Sequence, residues 1–132
     1  MKEAELFQAA QAAMRHAHAP YSTFPVGAAL LTDSGKMFSG CNIENASYPE
    51  GWCAETTAIA HMVMAGETTI AAVAVVAQKM PLITPCGGCR QRLKEFGSAD
   101  TLVHLCDANG VVESVTLGDL LPKGFALEAG GE

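Results

Sequence analysis

Three cysteines and one glutamate carry the densest chemical information in the chain. Cys53-Ala54-Glu55 lies near its middle, and Pro85-Cys86-Gly87-Gly88-Cys89 follows further on. Three thiolates can hold Zn²⁺ while the fourth tetrahedral position stays free for water, and a nearby glutamate that is not a ligand can move that water's proton. Structural zinc sites close with four protein ligands, and a zinc ribbon needs a second C-x-x-C where this chain has a lone cysteine. The count favours chemistry over scaffolding. A C-x-x-C taken alone also reads as a redox dithiol, but that reading requires a thioredoxin-like context and no third cysteine at this spacing. Cys41 and Cys106 fall in strand-like segments and read as buried apolar residues. His61 lies about two turns, ~12 Å, along a helix from Cys53, too far for the same metal. With His16, His18 and His104 it takes a structural or surface role.

The elements that must position these groups follow from hydrophobic spacing. Residues 53–65 and 86–96 read as helices that open on the cysteines and end at Gly66 and Gly97. Each helix N-terminus then directs partial positive charge and free N–H groups at the thiolates. Cys86 and Cys89, three apart, share a helical face, whereas Glu55, two beyond Cys53, can join the site only if the first turn is irregular. Ala58, Ile59, Met62 and Val63 are expected to face inward. Residues 3–17 read as a first helix with Leu6, Ala10, Ala13, Met14 and Ala17 on one face, ending near His18 ahead of Pro20. Residues 26–32 and 36–41 flank the turn Asp33-Ser34-Gly35 as an antiparallel hairpin. The apolar run 70–77 suggests a central strand buried on both faces. Strand, helix and strand through residue 106 imply a parallel pair with a right-handed crossover. A fifth strand, 111–115, follows the Asp107-Ala108-Asn109-Gly110 turn, and 117–122 forms a short helical turn. The expected fold is α/β: helices on both faces of a mixed five-stranded sheet with an N-terminal antiparallel hairpin and parallel crossover strands.

At 132 residues and 49% hydrophobic the chain suits a single domain, with residues 128–132 expected to fray. No apolar run is long enough to span a bilayer, and the N-terminus lacks a signal-peptide pattern, so a cytoplasmic protein with free thiols is expected. The net charge of −6 and the absence of a basic stripe argue against long DNA or RNA as a partner. The substrate is expected to be small.

At these residues the chain resembles the cytidine deaminase family, in its small homotetrameric form with a three-cysteine zinc site. The likeness runs from about Pro20 to Phe125. It includes Tyr21-Ser22-Thr23-Phe24-Pro25-Val26-Gly27-Ala28-Ala29-Leu30, Gly40-Cys41-Asn42-Ile43-Glu44-Asn45-Ala46, Cys53-Ala54-Glu55, Pro85-Cys86-Gly87-Gly88-Cys89-Arg90-Gln91 and Leu120-Leu121-Pro122. The resemblance implies a three-layer α/β/α fold, one Zn²⁺ on Cys53, Cys86 and Cys89, and Glu55 as acid/base shuttle. The implied reaction converts cytidine and deoxycytidine to their uridine counterparts with release of ammonia, as in pyrimidine salvage. It further implies that Phe24 stacks on the pyrimidine, that the backbone at Ala54 contacts the base, and that Ala46, Tyr48 and Phe125 reach a neighbouring subunit's site in a homotetramer. Asn42 and Glu44, two apart in an extended stretch, project to one side; alone they would read as a solvated loop with an Asx turn, and the resemblance implies that they pair with sugar hydroxyls. An antibiotic-nucleoside deaminase would need a changed sugar pocket, against which the intact Asn42/Glu44 pair argues. A non-catalytic zinc module would need neither Glu55 nor an open coordination position. One departure stands out. The family commonly has Arg directly after the glutamate, and this chain has Thr56, which leaves charge compensation of the thiolates largely to the helix N-termini.

Overall fold

The most apolar run of the chain, Ile70–Ala77, is the middle strand of a five-stranded sheet in the computed structural model, which describes residues 2–127. In chain order the elements are α1 (Lys2–Met14), β1 (Val26–Thr32), β2 (Met37–Cys41), α2 (Ala54–Met64), β3 (Ile70–Ala77), α3 (Gly87–Phe96), β4 (Leu102–Asp107), β5 (Gly110–Thr116) and α4 (Leu117–Leu120). The sheet order is β2-β1-β3-β4-β5, with β3 and β4 parallel and every other pair antiparallel. The hairpin, the parallel pair across α3 and the fifth strand all stand where the sequence put them. The tail expected to fray, 128–132, lies outside the described residues.

The alternation along β3 explains the three layers. Val73 and Val75 face a core shared with Ala58, Ile59 and Met62 of α2 and Leu93 of α3. Ala72, Ala74 and Val76 face the opposite core, with Leu6, Phe7 and Ala10 of α1. Complete burial of a valine such as Val75 on one face or Val76 on the other is worth about 1.5–3 kcal/mol, so both faces anchor the strand.

The structure corrects two local expectations. The first helix ends at Met14 rather than near His18, because the His18 backbone pairs with the segment after β2: its N–H donates to Asn42 O (3.0 Å) and its carbonyl accepts from Glu44 N (2.7 Å). Val63 is 46% exposed rather than inward-facing, since α2 rides over β2, the outermost strand, and its far side overhangs the sheet. Phe7, absent from the stripe expected on α1, is buried there.

How α2 is fixed to β2 decides where the chemistry sits. Thr57 Oγ1 donates to Cys41 O (2.9 Å), and His61 Nδ1 pairs with Ser39 O (2.7 Å). Between them Gly40 lets the two backbones touch: a Cβ placed there would lie 2.4 Å from Ala58 N and 2.7 Å from Ala54 O. The first turn of α2 therefore rests directly on the end of β2.

Candidate metal centre and its cleft

Cys53 and Cys86 occupy matching positions. Each is the extended residue immediately before a helix, with φ/ψ of −74°/158° and −68°/168°. Their side chains hang at the open N-terminal ends of α2 and α3, where unpaired N–H groups favour negative charge. Cys89 lies one turn into α3. The extended backbone at Cys53 also resolves the spacing problem of Glu55, because only Glu55 is helical and the two need not obey helical periodicity.

The three Sγ atoms lie within 4.8 Å of one another, the one such metal-ligand group among the described residues, and Cys53 and Cys86 Sγ are 3.7 Å apart. Tetrahedral zinc with Zn–S bonds of about 2.3 Å spaces its sulfurs by about 3.8 Å. The sulfurs thus fit one Zn²⁺ per chain, with a fourth position open. The thiols also behave as one unit. Hydrogen bonding with Cys89, then with Cys86, and the charge of Arg92 bring the Cys53 thiol down to about 6 against the opposing effect of burial. The same pairing with Cys53, together with burial and the nearby Glu55 charge, pushes Cys89 up. Cys53 thus gives up its proton readily while Cys89 resists losing its own, and a divalent cation bound between the sulfurs relieves that resistance.

Glu55 is 4% exposed, with Oε1 3.6 Å from Cys89 Sγ. Burial raises its carboxyl above the usual range, and the Cys53 charge adds to this, while backbone hydrogen bonding and Arg92 oppose it. A carboxyl so placed is suited to both taking and giving a proton.

Above these groups opens a cleft of about 350 Å³. Cys53, Ala54, Glu55 and Cys86 line it together with Asn42, Glu44 and Tyr48. Val26, Val75, Ile83, Thr84 and Trp52, which the sequence reading did not single out, supply further walls. Apolar residues beside a chemical motif are indistinguishable from core in a sequence, so only the fold reveals them. Phe24, Ala46 and Phe125 are not among the lining residues. Phe24 is half-buried and offers its carbonyl to Asn42 Nδ2 (2.9 Å), and Ala46 is exposed. Phe125 is 67% exposed, its backbone held by Gln91 through bonds of 2.8 and 3.1 Å. Arg90 ties the same region together, donating from Nε to Pro85 O (2.7 Å) and from NH1 to Leu120 O (3.0 Å).

Asn42 and Glu44, in the segment after β2, already brace the loop before β1. Asn42 Oδ1 accepts from Val26 N (2.9 Å) while its amide holds Phe24 O. Glu44 Oε1 accepts from Tyr21 N (2.9 Å) and Ser22 N (3.1 Å), and Oε2 accepts from Ser22 Oγ. Hydrogen bonding from Ser22 holds the Glu44 carboxyl below its ordinary range. A carboxylate has roughly four acceptor positions, so the three bonds leave room for one more donor from the cleft.

An α/β/α protein with an open three-thiolate metal site and a buried carboxyl beside it has the makings of a metal-dependent hydrolase. Residues 1–105 match the family model described as cytidine and deoxycytidylate deaminase zinc-binding region. The chain belongs to that family. It is 42% identical over 124 residues to the cytidine deaminase of Sporosarcina psychrophila, covering 94% of this chain and 91% of the relative. With the Halalkalibacterium halodurans cytidine deaminase the identity is 43% over 123 residues, 93% of each chain. The crystal structure of cytidine deaminase from Burkholderia pseudomallei superposes with a TM-score of 0.89 at 47% identity, covering 95% of this chain and all (100%) of that one. That of the Mycobacterium tuberculosis cytidine deaminase gives 0.84 at 39% identity, covering 93% and 96%.

Proposed function

We propose that this chain is a zinc-dependent cytidine deaminase that hydrolyses cytidine and deoxycytidine to uridine and deoxyuridine, releasing ammonia. The observation that carries the reading is the buried Glu55 beside the Cys53, Cys86 and Cys89 sulfurs at the floor of a cleft large enough for a nucleoside. When held by the three thiolates, zinc supplies a water acidic enough to serve as nucleophile at neutral pH. Glu55 would move both protons of that water in turn, one to the ring nitrogen N3 and one to the departing amine, as a C4–O bond forms and the C4–N bond then breaks. Ala54 offers its backbone to the base, Phe24 its ring as a stacking face, and Asn42 and Glu44 their remaining hydrogen-bonding capacity to the ribose. The reading carries with it a place in pyrimidine salvage and action in the cytoplasm; among the described residues no helix is long and apolar enough to cross a membrane.

The test is ammonia release from cytidine and deoxycytidine, compared with cytosine, CMP and a short oligonucleotide. Because Asn42 and Glu44 also brace residues 21–26, sugar recognition is better read by changing the substrate than by mutating the pair. Two sugar contacts at about 1–3 kcal/mol each favour cytidine over cytosine by at least ~10-fold in kcat/KM. Equal values would remove the sugar-reading role, and a zinc-loaded protein inert toward both nucleosides would sink the proposal.

Assembly is the other part of the reading. Tyr48 (75% exposed), Phe125 and Met64 (87% exposed) present large apolar side chains to solvent in the single chain, as do Tyr21 and Trp52. Tyr48 and Trp52 line the cleft itself, and exposed apolar side chains of this size fit a subunit contact; a homotetramer in which Ala46, Tyr48 and Phe125 complete a neighbour's site accounts for them. Sedimentation is expected to give four chains per particle, with activity falling on dilution to the dissociated form. A fully active monomer would rule out shared sites.

A further inference from the structure

Zn²⁺ on three thiolates carries a formal charge of −1, and Thr56, beside the glutamate, brings no charge to offset it. Its Oγ1 lies 3.9 Å from Cys89 Sγ, a weak neutral contact. A cation does reach the same sulfur from another element. Arg92 stands one turn beyond Cys89 on α3, and its NH1 is 3.7 Å from Cys89 Sγ. Helical side chains lean toward the N-terminus, so a residue three positions on is well placed to cover the turn before it.

A second observation fixes the guanidinium there. A Cβ placed on Gly88 would lie 3.3 Å from Arg92 NH1 and 3.7 Å from both Cζ and NH2. The planar group is therefore folded back over the opening turn of α3, in space that Gly88 leaves free between Cys86 and Cys89. Among the described residues no carboxylate forms an ion pair with it; the ion pairs found there join Lys2 to Glu5, Lys36 to Glu67 and His104 to Glu3. The charge of Arg92 is thus directed at the sulfurs.

We propose that Arg92 is a positioning residue of the metal centre: its guanidinium holds the Cys89 thiolate through a charge-assisted N–H···S bond and offsets the negative charge of the three-thiolate set. The inference rests on the zinc reading above. Arginine suits the role better than lysine, because its charge is permanent and its planar fork can lie flat over the helix turn while one N–H points at sulfur. Arg92 is solvent-exposed on its outer side, so its effect belongs at the lower end of what partners of metal ligands contribute, about 10-fold in metal affinity.

Zinc affinity of the purified full-length chain, measured by competition with a chromogenic chelator, tests this without reference to turnover. Four proteins are compared: wild type, Arg92→Gln, Arg92→Lys and the double variant Thr56→Arg/Arg92→Gln. Wild type is expected to hold one zinc per chain and Arg92→Gln to bind it about 10-fold more weakly. Arg92→Lys should recover part of the loss through charge alone. The double variant should recover most of it, because residue 56 approaches the same sulfur from α2. A merely structural role for Arg92 predicts instead a loss of thermal stability in the zinc-free protein that Thr56→Arg does not repair. Zinc-loaded Arg92→Gln with wild-type affinity would overturn the proposal. A wild-type chain that binds no zinc would overturn the zinc reading itself, a different outcome seen in a different sample.

Discussion

Glu55→Gln is expected to lower kcat by about 10²–10⁴-fold while the zinc content stays at one per chain. The amide preserves the shape of the side chain and some of its hydrogen bonding, but it cannot accept the proton that the reaction must move. The physical setting sharpens the expectation. Glu55 is almost wholly buried, and burial is the chief cause of its raised carboxyl. Replacing a buried ionisable group with a neutral one removes a desolvation cost, so the unfolding midpoint should hold or rise as activity collapses. Steady-state kinetics, elemental analysis and thermal unfolding on the same preparation separate the two effects. Near-normal kcat in the variant would take the proton-shuttle role away from Glu55.

Cys89→Ser should do something different, emptying the site. Cys89 is fully buried and is the hub of the cluster, in contact with Glu55, Thr56 and Arg92. A serine hydroxyl at the same position is a harder, less acidic donor that does not ionise to hold zinc near neutrality. Zinc should fall from one per chain to near none, and deamination should fall with it. The metal also stabilises whatever fold it binds: at a free zinc concentration 100 times the dissociation constant the gain is about 2.7 kcal/mol, and the variant forfeits it. Wild type should therefore melt at a lower temperature after chelation, whereas Cys89→Ser should melt alike with and without added zinc. Full zinc retention in the variant would show that the ligand set has been misassigned.

The parts of this architecture that could be read from the sequence are those enforced by strong local periodicity. The all-apolar run of β3 allowed only a central strand, and the Asp33-Ser34-Gly35 turn, with Gly35 at φ 89°, allowed only a hairpin. The cysteine spacing located the sulfur cluster because helix N-termini were already implied at both motifs. What escaped was set by tertiary contact. Nothing local says that the alanine-rich helix must stop at Met14; the pairing of His18 with Asn42 and Glu44 ends it. Nothing local says that Asn42 spends its amide on the backbone around Phe24 and Val26. Arg92 is an intermediate case. Its three-residue spacing from Cys89 is visible in the sequence, but Arg90, Lys94 and Glu95 stand beside it and no local pattern tells it from them. Only the guanidinium resting over Gly88 separates it from its neighbours.

The close approach at Gly40 has a consequence for anyone interrogating this chain by random mutagenesis. Residue 40 has no side chain, touches no substrate and ligates nothing. Yet a single added carbon meets the backbone of Ala54 and Ala58 at well under contact distance and must lift the first turn of α2, which bears Glu55 and follows Cys53 directly. Overpacking of this kind costs about 1–3 kcal/mol even where the backbone can give. In a library sorted only by activity, glycine 40 would score beside the cysteines, and a map drawn from those scores would extend the active centre to a strand that takes no part in the reaction.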